Sequence, residues 1–205
     1  MIGWDLDLFW HINRDWTHPV LDWLMPVLSA IELWMPILGV ILILIAWRGG
    51  AKSRWMLVAI TLAIVLSDAV VGHTLKKTFD RVRPRDQMNG VMIRDVAKVK
   101  PKVLALFQAP TLKTSVVKKV PLEGNSLPSN HTMNLFAVAT VIALFFRRWG
   151  LPMYGLAAAV AYSRVYVGAH WPSDIVPSIA LGWINGWLVV AAVTWWRGRY
   201  ASKSA

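Results

Sequence analysis

An all-α bundle that crosses a membrane five to six times is predicted by three features of this sequence: its apolar balance, its recurrent long apolar stretches, and the positions of its charges and tryptophans. Apolar residues make up 56% of the 205 residues, and the mean hydropathy is +0.47. That balance fits a membrane protein better than a soluble domain. A helix needs roughly 20 apolar residues to cross the hydrocarbon of a bilayer. Stretches of this kind cover 31–47, 55–71, 135–146 with a lead-in from Thr132, 151–167 and 175–196, which gives five crossings. Residues 20–47 hold Asp22, Pro26, Glu32 and Pro36. These either divide a short interfacial helix from a true span or leave room for a sixth crossing. Trp47, Trp149, Trp171, Trp195 and Trp196 flank the spans, where an amphipathic ring is most stable.

The chain reads as one unit over 1–205, with an interfacial segment over 1–30 and an external basic loop over 79–128. The N-terminal run carries Asp5, Asp7, Trp10, Arg14, Asp15 and Trp16. It lacks the basic start, apolar core and small-residue cleavage site of a removable signal. Its mixed charge and tryptophans suit the headgroup level. With no cysteine in the chain, disulfides, a thiolate nucleophile and Cys-ligated metals are excluded.

The formal charge is +11, but the basic residues are divided among short connections and one loop, so no nucleic-acid partner is expected. Anionic lipid is the better match. Arg48, Lys52 and Arg54 follow the first span, Arg147 and Arg148 the third, and Arg197, Arg199 and Lys203 the last. Positively charged ends of this kind face the cytoplasm. The connections 76–130 and 168–174 then share the external face. Residues 91–119 carry Arg94, Lys98, Lys100, Lys102, Lys113, Lys118 and Lys119, and either rest on anionic headgroups, cover a phosphate pocket or are simply solvated.

Three polar clusters fall on that external face. Lys76 and Arg83 end the second span, and Pro84 halts any helix reaching that far. A guanidinium can bind two phosphoryl oxygens at once, and an ammonium acts as a point charge. Alone, such residues equally well anchor a helix by snorkelling. Pro128, Ser129, Asn130 and His131 precede the third span, placing a hydroxyl, free amides and an imidazole at a helix N-terminus that attracts anions. Ser129 or Asn130 as an ordinary cap is the plain alternative. Ser163 and Arg164 are followed by His170 and, four residues later, by Asp174. That step puts the last two within reach on a helical turn, and a carboxylate on one ring nitrogen frees the other to attack.

Taken in order, Lys76 with Arg83-Pro84, Pro128-Ser129-Asn130-His131, and Ser163-Arg164 with His170 and Asp174 resemble the three-part signature of the type 2 phosphatidic acid phosphatase family of integral membrane lipid phosphatases. The resemblance spans about 68–175. It implies that His170 attacks phosphorus, that Asp174 orients it, and that His131 protonates the leaving group. It also implies that Lys76, Arg83 and Arg164, with Ser129 and the amides around Asn130, hold the phosphoryl oxygens. No metal and no cofactor are implied. The family pattern usually has Gly where Asn130 stands, and Asn is the side chain that most readily follows Gly to positive φ.

Asp68, inside the second span, is a functional candidate by default or the partner of a neighbouring helix. His73 reads as a supporting or interfacial residue. The implied partner is a lipid phosphate in the bilayer: undecaprenyl diphosphate first, with phosphatidate, phosphatidylglycerol phosphate and lipid A as alternatives. The implied location is a bacterial inner membrane, with the site facing the periplasm. Related soluble vanadate haloperoxidases do not fit the apolar spans. A non-catalytic lipid-phosphate binding or transport protein is the alternative from another class, and the presence of both His131 and His170 speaks against it.

Overall fold

The protein is described by a computed structural model covering residues 3–117 and 124–201; Lys118, Lys119 and Lys203 of the basic sets lie outside these residues. Helix α1 (Gly3–Trp10) continues into a π-helical turn, His11–Asp15, and is followed by α2 (Pro19–Ser29) and α3 (Ile31–Arg48). Helix α4 (Ala51–Val65) runs through a π-helical segment, Leu66–Gly72, into α5 (His73–Phe79), after which comes the short α6 (Pro84–Gln87). Helices α7 (Asn130–Phe145), α8 (Arg147–Tyr166) and α9 (Pro172–Ala201) complete the bundle.

Pro19 starts α2 at a position that needs no amide donor, and the His18 ring accepts from the Val20 amide. Ala30, with φ −89° and ψ 81°, separates α2 from α3. Helix α2 has 11 residues, too few to cross a bilayer alone, so the ambiguous first stretch resolves into a short helix followed by a span. Helix α3, the α4–α5 helix and α9 are long and apolar enough to cross. Leu33 is the one buried residue of α3, as expected for a helix that faces lipid on most sides.

Helix α7 is the axis, packed by α4, α8 and α9. Lipid tails are as apolar as leucine, so association of such helices depends on close fit. Gly182 and Gly186 of α9 supply it: a Cβ at either would overlap the Met133 or Ala137 carbonyl oxygen of α7. Between them, Asn185 donates to the Ala63 carbonyl (2.8 Å) and the Ser67 hydroxyl (2.6 Å), tying α9 to the start of the π-helical segment. The apolar core of this half is Met56, Ala59, Ala63, Ala137, Val141, Val189 and Val193. At its far end Lys52 lies over the Phe146 ring and Arg197 over Trp55, so these basic residues gather at one end.

A second core, with Phe9, Met25, Val91, Val165, Tyr166 and Trp171, lies at the opposite end. It joins α1 and the long connection to the ends of α8 and α9. That connection is not plain loop. Strands β1 (Met92–Asp95) and β2 (Thr111–Thr114) pair antiparallel, Met92 opposite Thr114 and Asp95 opposite Thr111, around a 3₁₀ turn, Lys102–Phe107. This ribbon departs from the otherwise all-helical fold. Asn13 secures it by donating to the Met92 and Tyr166 carbonyls at 2.9 Å each, and Arg94 reaches Asp22 at 2.6 Å and the Asn13 carbonyl at 2.9 Å.

The close α7–α9 approach carries a test. Gly182→Ala should cost about 1–3 kcal/mol by overpacking and lower the thermal midpoint in detergent. Gly39→Ala, at a position with open space, should not lower it. Equal behaviour of the two would contradict the packing.

Candidate active site

The ends of α5 and α8 and the starts of α7 and α9 bring the three sequence clusters together at the end of the bundle away from Lys52 and Arg197. Lys76 sits near the end of α5, Arg83 caps α6, His131 is in the first turn of α7, and Arg164 is in the last turn of α8. Lys76, Arg83, Arg164 and His170 all act electrostatically on His131. Asp174 faces His170 at 3.6 Å, whereas Ser129 and Asn130 bond to Ser178, Thr132 and Asp68. The Ser163 hydroxyl donates to the Val160 carbonyl within its own helix (2.7 Å).

His170 is not on a helical turn with Asp174, as the four-residue step suggested. It lies in a loop before α9, folded back so that the amides of Ala169 and His170 both donate to the Arg164 carbonyl, at 3.0 and 3.2 Å. Gly168 makes this possible, with φ +76° and a Cβ position only 2.7 Å from Val91 Cγ1. The His170 ring is buried, and its Nδ1 faces Asp174 Oδ2 at 3.6 Å, longer than a hydrogen bond. Burial pushes the imidazole down to about 4 against the pull of Asp174, with Arg164 and Arg83 acting in the direction of burial. The ring is therefore neutral at pH 7. A proton on Nδ1, toward the carboxylate, leaves the lone pair on Nε2.

Asp174 is fully buried and held from three sides. Ser126 Oγ (2.5 Å) and the Trp171 amide (2.9 Å) donate to Oδ2, and Arg81 Nη1 (2.5 Å) donates to Oδ1. Arg81 also reaches Ser173 Oγ (2.7 Å) and, through Nη2, Asp5 Oδ2 (2.5 Å). Asp5 in turn accepts from the Ser173 amide (2.8 Å) and hydroxyl (2.6 Å). The guanidinium lies over Trp171, whose indole N–H donates to the Val82 carbonyl. Neither Arg81 nor Asp5 was singled out from the sequence. The available signals were an acid in a short N-terminal run that also carries Asp7 and a second arginine in the run from Lys76 to Pro84, both of which fit ordinary interfacial residues. Helix α1 does more than lie at a surface, because Asp5 and Phe9 are both inside.

Ser129 makes no side-chain cap to α7. Its amide donates to Ser178 Oγ (2.8 Å), which donates to the Asp174 carbonyl (2.6 Å), and its hydroxyl accepts from Thr132 (3.1 Å). Asn130 does not take the positive φ that a substitute for glycine suggested. It is the first helical residue of α7, and its amide donates to Asp68 (2.8 Å), as does that of Asn134 (3.1 Å). Asp68 is thus the partner of a neighbouring helix. His73, on α5, is exposed.

The Nε–H groups of Arg83 and Arg164 are buried without a hydrogen-bond acceptor among the described residues, and so is His170 Nδ1. An orphaned buried donor is costly. Two guanidinium donors beside a neutral imidazole and a helix N-terminus make a pocket suited to an oxyanion with several oxygens.

Fold and side-chain arrangement together describe a helical membrane protein with unpaired guanidinium donors and a buried imidazole at one end of its bundle. The chain matches the PAP2 superfamily over residues 53–198 and belongs to it. It is 25% identical over 190 residues to a lipid A 4'-phosphatase of Porphyromonas gingivalis, covering 91% of this chain and 72% of that one. It is 29% identical over 191 residues to an undecaprenyl-diphosphatase of Sulfolobus acidocaldarius, covering 90% and 76%. The crystal structure of Aquifex aeolicus LpxE superposes with a TM-score of 0.64 at 24% identity, over 93% of this chain and 96% of that one.

Arg81 stands between two buried carboxylates. Arg81→Ala leaves both uncompensated and should cost about 3–5 kcal/mol, read as a fall in the thermal midpoint in detergent. The pair Asp5→Asn with Arg81→Gln should recover part of it. An unchanged midpoint for Arg81→Ala would contradict the ion-pair geometry.

Proposed function

We propose that the chain is an integral membrane lipid phosphatase that acts through a phosphohistidine on His170. The observation that carries this reading is the single arrangement of a neutral, buried His170 backed by Asp174 and faced by the unpaired donors of Arg83 and Arg164. Membership of the PAP2 superfamily supports it.

His170 Nε2 attacks phosphorus as the ester or anhydride bond breaks, and His131, protonated once the negative charge of the bound phosphate offsets the surrounding cations, delivers that proton to the departing oxygen. The Nδ1–H gains a full hydrogen bond to Asp174 as positive charge develops on the ring, a contact that tightens from its resting 3.6 Å. Lys76, Arg83 and Arg164 take the three non-bridging oxygens, with further donors from the α7 terminus around Ser129 and Asn130. These are fixed before reaction begins, which is where electrostatic stabilisation is most effective. Water, deprotonated by His131, then attacks the phosphohistidine. Inorganic phosphate leaves, and both histidines return to their starting states.

The substrate is a phosphorylated lipid of the cell envelope. Relatives named for lipid A and for undecaprenyl diphosphate each align over about nine tenths of this chain, and the pocket reads phosphate whatever the tail. The basic end of the bundle faces the cytoplasm, by the excess of Lys and Arg there, and the site faces the exterior of an inner membrane.

Phosphate release from a panel of lipid phosphates in detergent should persist in chelator and fall about a thousandfold or more in His170→Ala. Release that is unaffected by the substitution would overturn the assignment of His170.

A further inference from the structure

Beyond the catalytic residues, His131 and Arg164 open into a cavity of about 640 Å³, the size of a headgroup site. It lies between the α2–α3 junction and the segment that follows β1. Six cationic side chains line it, Arg85, Arg94, Lys98, Lys100, Lys102 and Arg164, against two acids, Glu32 and Asp95.

Three of the six are already committed. Arg94 is buried and held by Asp22 and by the Asn13 and Tyr166 carbonyls. Lys102 pairs with Glu32. Arg164 belongs to the catalytic cluster. Arg85, Lys98 and Lys100 have no carboxylate within ion-pair distance among the described residues, and only Asp95 remains to offset them.

Arg85 is also tied to the reaction centre. Its amide donates to the Gly168 carbonyl (3.3 Å), in the same loop that carries His170. The part of the long connection best suited to lipid is elsewhere: Val103, Leu104 and Phe107 of the 3₁₀ turn are exposed apolar side chains, Phe107 by 83%, whereas Lys98 and Lys100, also exposed, line the cavity rim.

We propose that Arg85, Lys98 and Lys100 form a second anion subsite that binds a phosphate of the substrate other than the one removed, so that lipids carrying two phosphates are preferred to lipids carrying one. The inference rests on the phosphatase reading and deepens it. A diphosphate and a headgroup with two separated phosphates share this chemistry, and the substrates below distinguish them.

The test compares kcat/KM in neutral detergent micelles for two matched pairs: a prenyl diphosphate with its monophosphate, and a bisphosphorylated glycolipid with its monophosphorylated form. The unaltered protein should prefer the two-phosphate member of at least one pair by about tenfold or more, mainly through KM, and the pair concerned identifies the source. In Arg85→Gln/Lys98→Gln/Lys100→Gln the ratio should fall toward one. A matched variant with three cations changed outside the cavity, Arg14→Gln/Lys77→Gln/Lys113→Gln, should keep it.

The subsite is overturned by the absence of preference in both pairs, or by equal loss in the two triple variants. It is also overturned by an effect seen only in anionic vesicles, which would assign these residues to the bilayer surface. If no lipid is turned over, the phosphatase reading fails. Equilibrium binding of the same lipids then decides the subsite, which stands only if the two-phosphate preference is present and is lost in the first variant.

Discussion

The Asp174 carboxylate is the point on which the rest of this structure depends. A charge enclosed in a membrane protein is tolerated only when donors surround it, and those donors come from distant parts of the chain. Arg81 arrives from the end of the second span, Ser126 from the approach to α7, and the Trp171 amide from the turn before α9. Satisfying one carboxylate therefore fixes the relative positions of the segments that carry Lys76, Arg83, His131 and His170. Asp5 extends the network to α1, because Arg81 bridges the two acids and Ser173 binds Asp5 twice.

The remainder of the bundle holds that end steady. Glycines of α9 let it approach α7 closely, and Asn185 secures the turn where α4 becomes π-helical. The π-helical segment also presents Asp68 toward Asn130 and Asn134, so the residue that replaces the usual glycine has a partner of its own. The ribbon is fastened by Asn13 and Arg94, both of which also bond to the Tyr166 carbonyl at the end of α8. Apolar fit thus acts through the depth of the bilayer and polar enclosure at its edge, with the proposed nucleophile where the two meet.

Much of this was legible beforehand. Long apolar runs announce spans because hydrocarbon imposes a length and a composition together, and the ordered clusters from Lys76 to Asp174 have a spacing that chance seldom supplies. Other features carried no such signal. Whether α2 and α3 are one helix turned on the conformation of Ala30, which the prolines nearby did not specify. His170 was placed on a helical turn because a four-residue step looks the same whether or not its first member is helical. Arg81 and Asp5 are 76 residues apart, and each looks interfacial alone, so only the folded chain reveals the pair. The ribbon is two four-residue strands in a basic stretch, too short for alternation to be read.

The central claim is that His170 becomes covalently phosphorylated. Its most direct test is rapid quenching of the protein with a lipid whose scissile phosphate is radiolabelled, followed by peptide mapping. The account predicts an acid-labile, alkali-stable phosphoryl group on the peptide containing His170, formed within the first turnover and absent in His170→Ala. Turnover without any labelled protein, or label on His131 instead, would contradict it.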